Sequence, residues 1–198
     1  MISRILALSA ILLLGGCASL PPVEQDADPR KLDLWQAHQA SLQTLRQWRA
    51  EGRAAILAQN SGGQIAFDWV QTHGQQVLTL KTPLGQNAVQ ITQNPGGAVL
   101  VDQDGTLHEG ANSEALLRET LGWSVPVAGM HAWLLGLPAT SDDAYSLDEH
   151  GRLKRLHSQG WRIEYQRYTV VDGKALPSKM EFTHMDLGLR LVIDRWRL

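Results

Sequence analysis

From Glu51 onward, apolar and polar residues alternate with period two, and turn signals interrupt the pattern at Asn60-Ser61-Gly62-Gly63, His73-Gly74, Gly85, Asn94-Pro95-Gly96-Gly97 and Asp104-Gly105. Six strands fit between these signals. Ile65, Phe67 and Trp69 alternate with Ala66 and Asp68, Leu78 and Leu80 flank Thr79, and Val89 and Ile91 flank Gln90. Such strands give an antiparallel sheet with one apolar face and one wetted face. The rhythm resumes near Tyr145 to Leu147, Arg152 to His157, Trp161 to Tyr168, Lys179 to His184 and Leu189 to Trp196, separated by His150-Gly151, Gly160, Asp172-Gly173 and Gly188. The expectation is an α+β chain of about eleven strands with helices inserted in the middle.

The helical segments follow a different period. Ser113 is placed to cap a helix carrying Leu116, Leu117 and Leu121 on one flank. A second begins after Pro126, with Met130, Trp133, Leu134 and Leu137 at i, i+3, i+4 and i+7, and stops at Gly136 and Pro138. A third precedes the strands: Leu34, His38, Leu42, Leu45 and Trp48 form its apolar stripe, with Gln36, Gln39, Gln43 and Gln47 elsewhere. A long antiparallel sheet twists and curls, and its apolar face has to be covered. Periodicity leaves two outcomes open: the helices fill the concave side completely, or they roof it over an apolar cavity.

At the N-terminus, Arg4 and the apolar run Ile5 to Leu14 form a signal segment too short to cross a bilayer core of about 30 Å as a helix. Leu14-Gly15-Gly16-Cys17 looks like a lipobox, in which the thiol of Cys17 takes a diacylglycerol and its amine, freed by cleavage, is N-acylated. Several chains on one residue make a stable tether where one chain does not. Ala18 stands where an inner-membrane retention signal would place Asp, which favours the outer membrane. Leu20 to Pro29, with its prolines and acidic residues, reads as a solvated leash. The expected organisation is a signal peptide over 1–16, a lipidated N-terminus and flexible tether over 17–30, and one domain over 31–198. With the only cysteine given to lipid, no disulfide holds that domain. A formal net charge of −2 gives no reason to expect a nucleic-acid partner.

Motifs of reaction chemistry are absent. The seven histidines include no H-E-x-x-H pair, several lie in or beside turns, and solvent exposure is expected for them; no metal site is assigned. Gly122-Trp123-Ser124-Val125-Pro126 starts like a nucleophile elbow but has Pro126 in place of the second glycine. Asp102-Gln103-Asp104-Gly105 lacks the later ligands of a calcium loop and reads as a hairpin turn. There is no P-loop. The expectation is a protein that is not an enzyme, with no catalytic residues and no cofactor beyond the covalent lipid. Two other readings compete with a carrier: a structural envelope lipoprotein with a filled core that binds other proteins through its surface, and a lipid-active enzyme using His184 and Asp186.

The run from Gly122-Trp123-Ser124-Val125-Pro126-Val127 through Trp133-Leu134-Leu135-Gly136-Leu137-Pro138, with Thr82-Pro83-Leu84-Gly85, Gly160-Trp161-Arg162-Ile163-Glu164-Tyr165 and the lipobox, resembles the outer-membrane lipoprotein receptors of the LolB family. The resemblance extends over the whole mature chain and is strongest between Glu51 and Pro138. It implies an incomplete, half-open antiparallel β-barrel with a lid of about three α-helices over a hydrophobic cavity for acyl chains. It further implies an anchored protein on the periplasmic side of the outer membrane, acting as a monomer. Such a receptor accepts lipoproteins from the periplasmic carrier LolA and places them in the inner leaflet of that membrane without nucleotide hydrolysis. Carried onto this chain, the cavity residues are Ile65, Phe67, Trp69, Leu78, Leu80, Leu117, Leu121, Trp123, Met130, Trp133 and Leu134. The remaining tryptophans, Trp35, Trp48, Trp161 and Trp196, are expected in the core. Pro83, Leu84 and Gly85 form the membrane-insertion loop, with Leu84 protruding.

Overall fold

A computed structural model of the protein describes residues 28–58, 62–82, 87–122, 125–185 and 187–198. The signal segment, Cys17, the Pro83-Leu84-Gly85 loop, Trp123, Ser124 and Asp186 lie outside the described residues. The elements in chain order are α1 (Pro29–Gln43), β1 (Trp48–Ala58), β2 (Gly62–Thr72), β3 (Gln75–Lys81), β4 (Asn87–Asn94), β5 (Gly97–Val101), β6 (Leu107–Gly110), α2 (Ser113–Leu121), α3 (Val127–Leu134), β7 (Ala144–Leu147), β8 (Leu153–Ser158), β9 (Trp161–Val171), β10 (Lys174–His184) and β11 (Leu187–Arg197).

All eleven strands belong to one sheet in the order β6-β5-β4-β3-β2-β1-β11-β10-β9-β8-β7. Each half of the chain makes a meander of hairpins, and the antiparallel β1–β11 pair, with Ala54 opposite Leu191 and Ile56 opposite Leu189, joins the halves. The two edge strands, β6 and β7, are neighbours in sequence and remain unpaired with each other. The sheet is therefore an unclosed barrel, and α2 and α3 are the connection that passes from one edge to the other.

Period two sorts the faces. On β1, Ala50 and Ala54 are buried, while Arg49 pairs with Asp68 and Glu51, and Arg53 forms a two-bond pair with Asp194. Opposite, Phe67 and Trp69 of β2 are buried on the same inner face. A bulge at Glu51/Gly52 lets Glu51 face Arg195 and Gly52 face Ile193, so Asp194 is the extra residue and alternation on β11 shifts from Ile193 to Trp196, both buried. Gly52 is required there. A Cβ would run into the carbonyl oxygen of Val192 and lie 2.9 Å from Phe67 Cζ.

The helices depart from the sequence reading at their ends. α1 stops at Gln43, and Trp48, expected on its stripe, opens β1 instead. The buried helical side chains are Trp35 and Leu42, whereas Leu34 is exposed. Trp35 wins because its indole N–H donates to the Tyr145 hydroxyl at 3.1 Å and because Gly151 leaves room for the Leu34–Trp35 backbone. α2 is capped by Asn112, whose side chain accepts from the Ala115 N–H; Ser113 sits one residue inside and donates from backbone and hydroxyl to Gln93. The Asp102 turn is a hairpin turn, with the carboxylate accepting from the Asp104 and Thr106 N–H groups. The histidines are not uniformly solvated. His131 of α3 packs 5.5 Å from the Trp48 ring, and burial holds its pKa below the usual value, as it does for His38.

Gly52→Ala should destabilise the fold by about 1–3 kcal/mol through overpacking at the β1–β11 bulge. Urea denaturation reads this as a lower midpoint, and an unchanged midpoint would show that the bulge has slack.

Candidate functional site

The inner face of the sheet is packed solid on one half and hollow on the other. On the β8–β10 half, Trp133 of α3 is fully buried, its ring 6.4 Å from Trp161 and 6.2 Å from Phe182. Leu153, Leu156, Ile163, Leu176 and Met180 close around it. The hydroxyl of Tyr165, itself buried, donates to the Trp133 carbonyl at 3.0 Å. Burial pushes the Tyr165 pKa well above the usual value, so the phenol keeps this proton. Gly129, one turn before, lets the Trp133 ring fold back along the helix; a Cβ there would sit 2.9 Å from the ring.

On the other half lies an apolar hollow of about 220 Å³. Its floor is Ala54 and Ile56 of β1, Ile65, Phe67 and Trp69 of β2, Leu78 and Leu80 of β3, and Leu187, Leu189 and Leu191 of β11. Register explains the set. Ala54 faces Ile65, Phe67 faces Leu80, Trp69 faces Leu78, Ala54 faces Leu191 and Ile56 faces Leu189, so every floor side chain points to the same side. The roof is Leu117 and Gly122 of α2 and its end, Val125 from the following link, and Val127 and Met130 of α3. No lining residue carries a charge. The flexible thioether of Met130 suits a wall that meets ligands of varied shape.

The far ends of this roof are pinned. α2 is held by the Ser113–Gln93 bonds and by Leu116 packed on Gly110, and α3 by Trp133 and Tyr165. At the junction, Gly122 adopts φ +70° and its N–H bonds back to Arg118, while Pro126 starts α3 with no side-chain cap. Among the described residues, the hydrogen bonds of this junction run only within the helices it joins.

Of the expected cavity residues, Ile65, Phe67, Trp69, Leu78, Leu80, Leu117 and Met130 come together on the hollow. Trp133 and Leu134 do not. They lie further along α3, beyond the boundary between the halves, and are consumed in the packed side. Trp123 lies outside the described residues; Leu121 ends α2, and its side chain is likewise outside them. Ile56, Leu187, Leu189 and Leu191 were missed as lining, although the alternation on β11 was visible. The β1–β11 pairing that brings them beside β2 joins the two ends of the chain, and no local signal reports it. Trp35, Trp48, Trp161 and Trp196 are all buried in the core. Two of the three helices cover the hollow; α1 covers the other half. His184 stacks on Trp161 at 5.1 Å and is not among the residues that line the hollow. No group of acidic, histidine or cysteine side chains suited to a metal occurs among the described residues.

The solved structures that share this architecture are distant in sequence. A LolA superfamily protein from Nitrosomonas europaea superposes with a TM-score of 0.54 at 8% identity, covering 85% of this chain and 92% of that one. A DUF1329 family protein from Desulfovibrio piger gives 0.51 at 8% identity, covering 85% and 91%. These two speak for the fold alone. Sequence relatives are nearer: the outer-membrane lipoprotein LolB of Nitrosococcus oceani is 38% identical over 96% of this chain and 95% of its own length. That of Pseudomonas aeruginosa is 36% identical over 97% and 94%. The family model "Outer membrane lipoprotein LolB" matches residues 46–196, from just before β1 to the end of β11 and so across both floor and roof of the hollow. The chain belongs to the outer-membrane lipoprotein LolB family.

Proposed function

We propose that the protein is a lipoprotein receptor: it accepts lipoproteins from the periplasmic carrier LolA, holds their acyl chains in the hollow, and inserts them into the inner leaflet of the outer membrane. Family membership sets the general task, which is outer-membrane lipoprotein localisation. The observation that carries the finer reading is the uncharged hollow between β1–β2–β3–β11 and the α2–α3 roof. Burying methylenes in such a space is favourable by about 0.8 kcal/mol each, with no directional contact needed. That suits cargo that shares only its lipid.

Transfer then follows affinity differences. A hollow that holds acyl chains more tightly than the donor, and less tightly than the bilayer, passes cargo onward without nucleotide hydrolysis; each step of about 1.4 kcal/mol is a tenfold preference. The partly filled design supports this. Half of the inner face stays packed and keeps the fold stable, while the other half stays loose enough to fill and empty. The protein is anchored through the lipid on Cys17 and faces the periplasm, acts as a monomer, and does no bond-making chemistry of its own.

Two outcomes test the proposal. A fluorescent apolar probe should bind saturably at about one per molecule, as expected for a single apolar pocket, and be displaced by an acylated peptide. Ala54→Phe, which projects a ring into the hollow, should weaken that binding at least tenfold, or about 1.4 kcal/mol, with the circular dichroism spectrum unchanged. No uptake by the unmodified protein would favour the filled-core structural reading instead. For release, Leu84→Glu should leave receipt from the carrier intact while incorporation into outer-membrane vesicles fails; equal loss of both steps would count against a membrane-inserting loop.

A further inference from the structure

Five hairpins of the sheet turn through two residues between paired strand ends, and four of them place glycine second: His73-Gly74, Pro95-Gly96, Gln159-Gly160 and Asp172-Gly173. That is the residue such turns ask for. The fifth, between His184 and Leu187, is Met185-Asp186, which the sequence reading had placed at Gly188. Met185 adopts φ +49°, in the left-handed region that disfavours side chains of its size, and it is 88% exposed, more than any other large hydrophobic residue among those described. Gln159 and Asp172 hold the same conformation at the same position of their turns, at φ +51° and +48°, with polar side chains; the long apolar side chain of Met185, presented to water there, serves neither the turn nor the core. Local rules broken without a folding gain mark functional positions.

Its place in the fold says what it meets. Strand order puts the β1–β2, β3–β4, β5–β6, β8–β9 and β10–β11 connections at one end of the sheet. Leu57 and Leu107, two further exposed large hydrophobics, stand at this end, and the strand ends Lys81 and Asn87, between which Leu84 falls, belong to it as well. The hollow reaches the same end, since its floor finishes at Leu187, two residues from Met185. α1 lies against Gly151 in the β7–β8 turn, at the opposite end. The eleven residue steps from Cys17 to Asp28 span up to about 36–40 Å when extended, enough to run the length of an eleven-residue strand such as β1. A lipid anchor on Cys17 therefore permits the Met185 end to rest on the bilayer.

We propose that Met185, at the tip of the β10–β11 hairpin, inserts into the phospholipid interface beside the open end of the hollow, as a second apolar membrane contact separate from the Leu84 loop. This rests on the carrier reading above, and it assigns to the bilayer a whole rim of the barrel rather than one loop. The two contacts lie on opposite halves of the chain, with β2 and β1 between the strands that carry them. Insertion at two points fixes the orientation of the hollow's mouth toward the leaflet, where one point leaves the protein free to swivel.

The test uses the full lipidated chain in phosphatidylethanolamine–phosphatidylglycerol vesicles. With Cys17 acylated, Met185→Cys offers a single thiol for a nitroxide label, and Val170→Cys, at a position 71% exposed near the opposite end, is its control. The label at 185 should collide severalfold more with oxygen, and severalfold less with a water-soluble nickel chelate, than the label at 170. Equal collision profiles at the two positions would overturn the proposal. A second variant, Met185→Asn, suits the left-handed turn better and should raise the melting temperature by about 2–4 °C while slowing cargo incorporation into vesicles severalfold and leaving apolar-probe uptake unchanged. Wild-type incorporation by this more stable variant would equally overturn it. Failure of the unmodified protein to take up the probe would defeat the carrier reading, whereas normal uptake with a water-exposed label defeats the membrane contact alone.

Discussion

The seating of Trp133 against Trp161 and Phe182, locked by the Tyr165 hydroxyl on its carbonyl, decides where this molecule is solid and where it is empty. An eleven-stranded sheet offers more apolar inner face than two short helices can fill. The indole of Trp133 is spent entirely on the β8–β10 half. Losing a buried tryptophan typically removes about 3–5 kcal/mol of stability, so α3 has little freedom to slide toward the other half and fill it. The hollow lies on the half that Trp133 does not line, and that side chain is unavailable to close it.

The floor reinforces this. After Trp48, the inner face of β1 reads Ala50, Gly52, Ala54, with no side chain larger than a methyl until Ile56. Phe67 leans over Gly52 and Trp69 lies opposite Ala50, so the first two positions are covered by their neighbours on β2. Ala54 is also on the hollow's wall, facing Ile65 and Leu191. Outside, the same strand carries Arg49, Glu51 and Arg53 in ion pairs with Asp68, Arg195, Arg197 and Asp194. Surface pairs of this kind are worth little in stability. Their service here is to keep the wetted face soluble and the register unambiguous, since a one-residue slip would bury these charges.

Much of this was legible in the chain. Strand number, the central helices and the outward and inward faces of β2 and β3 follow from period two and from glycine-bearing turns, which are local signals. What escaped was long-range or depended on direction. Trp48 matched the helical stripe of α1 by spacing, yet Trp35 and the Leu42 end of the helix found partners first, and Trp48 went to the sheet. Trp133 and Leu134 share a stripe with Met130, but a helix that straddles a boundary sends successive turns to different neighbours. Leu189 and Leu191 were recognised as strand residues and missed as lining because only the β1–β11 pairing brings them beside Ala54 and Ile56. The turn at Met185-Asp186 was invisible for a sharper reason: it breaks the rule by which the other four turns were found.

The central claim is that one half of the barrel is built to stay packed while the other takes up acyl chains. A crystal structure of the protein with a bound long-chain fatty acid tests it most directly. The account predicts an acyl chain lying between Phe67, Leu189 and Met130, with Trp133 unmoved against Phe182. A chain that enters by displacing Trp133, or that binds outside the barrel while Met130 of the roof settles onto Phe67 of the floor, would contradict it.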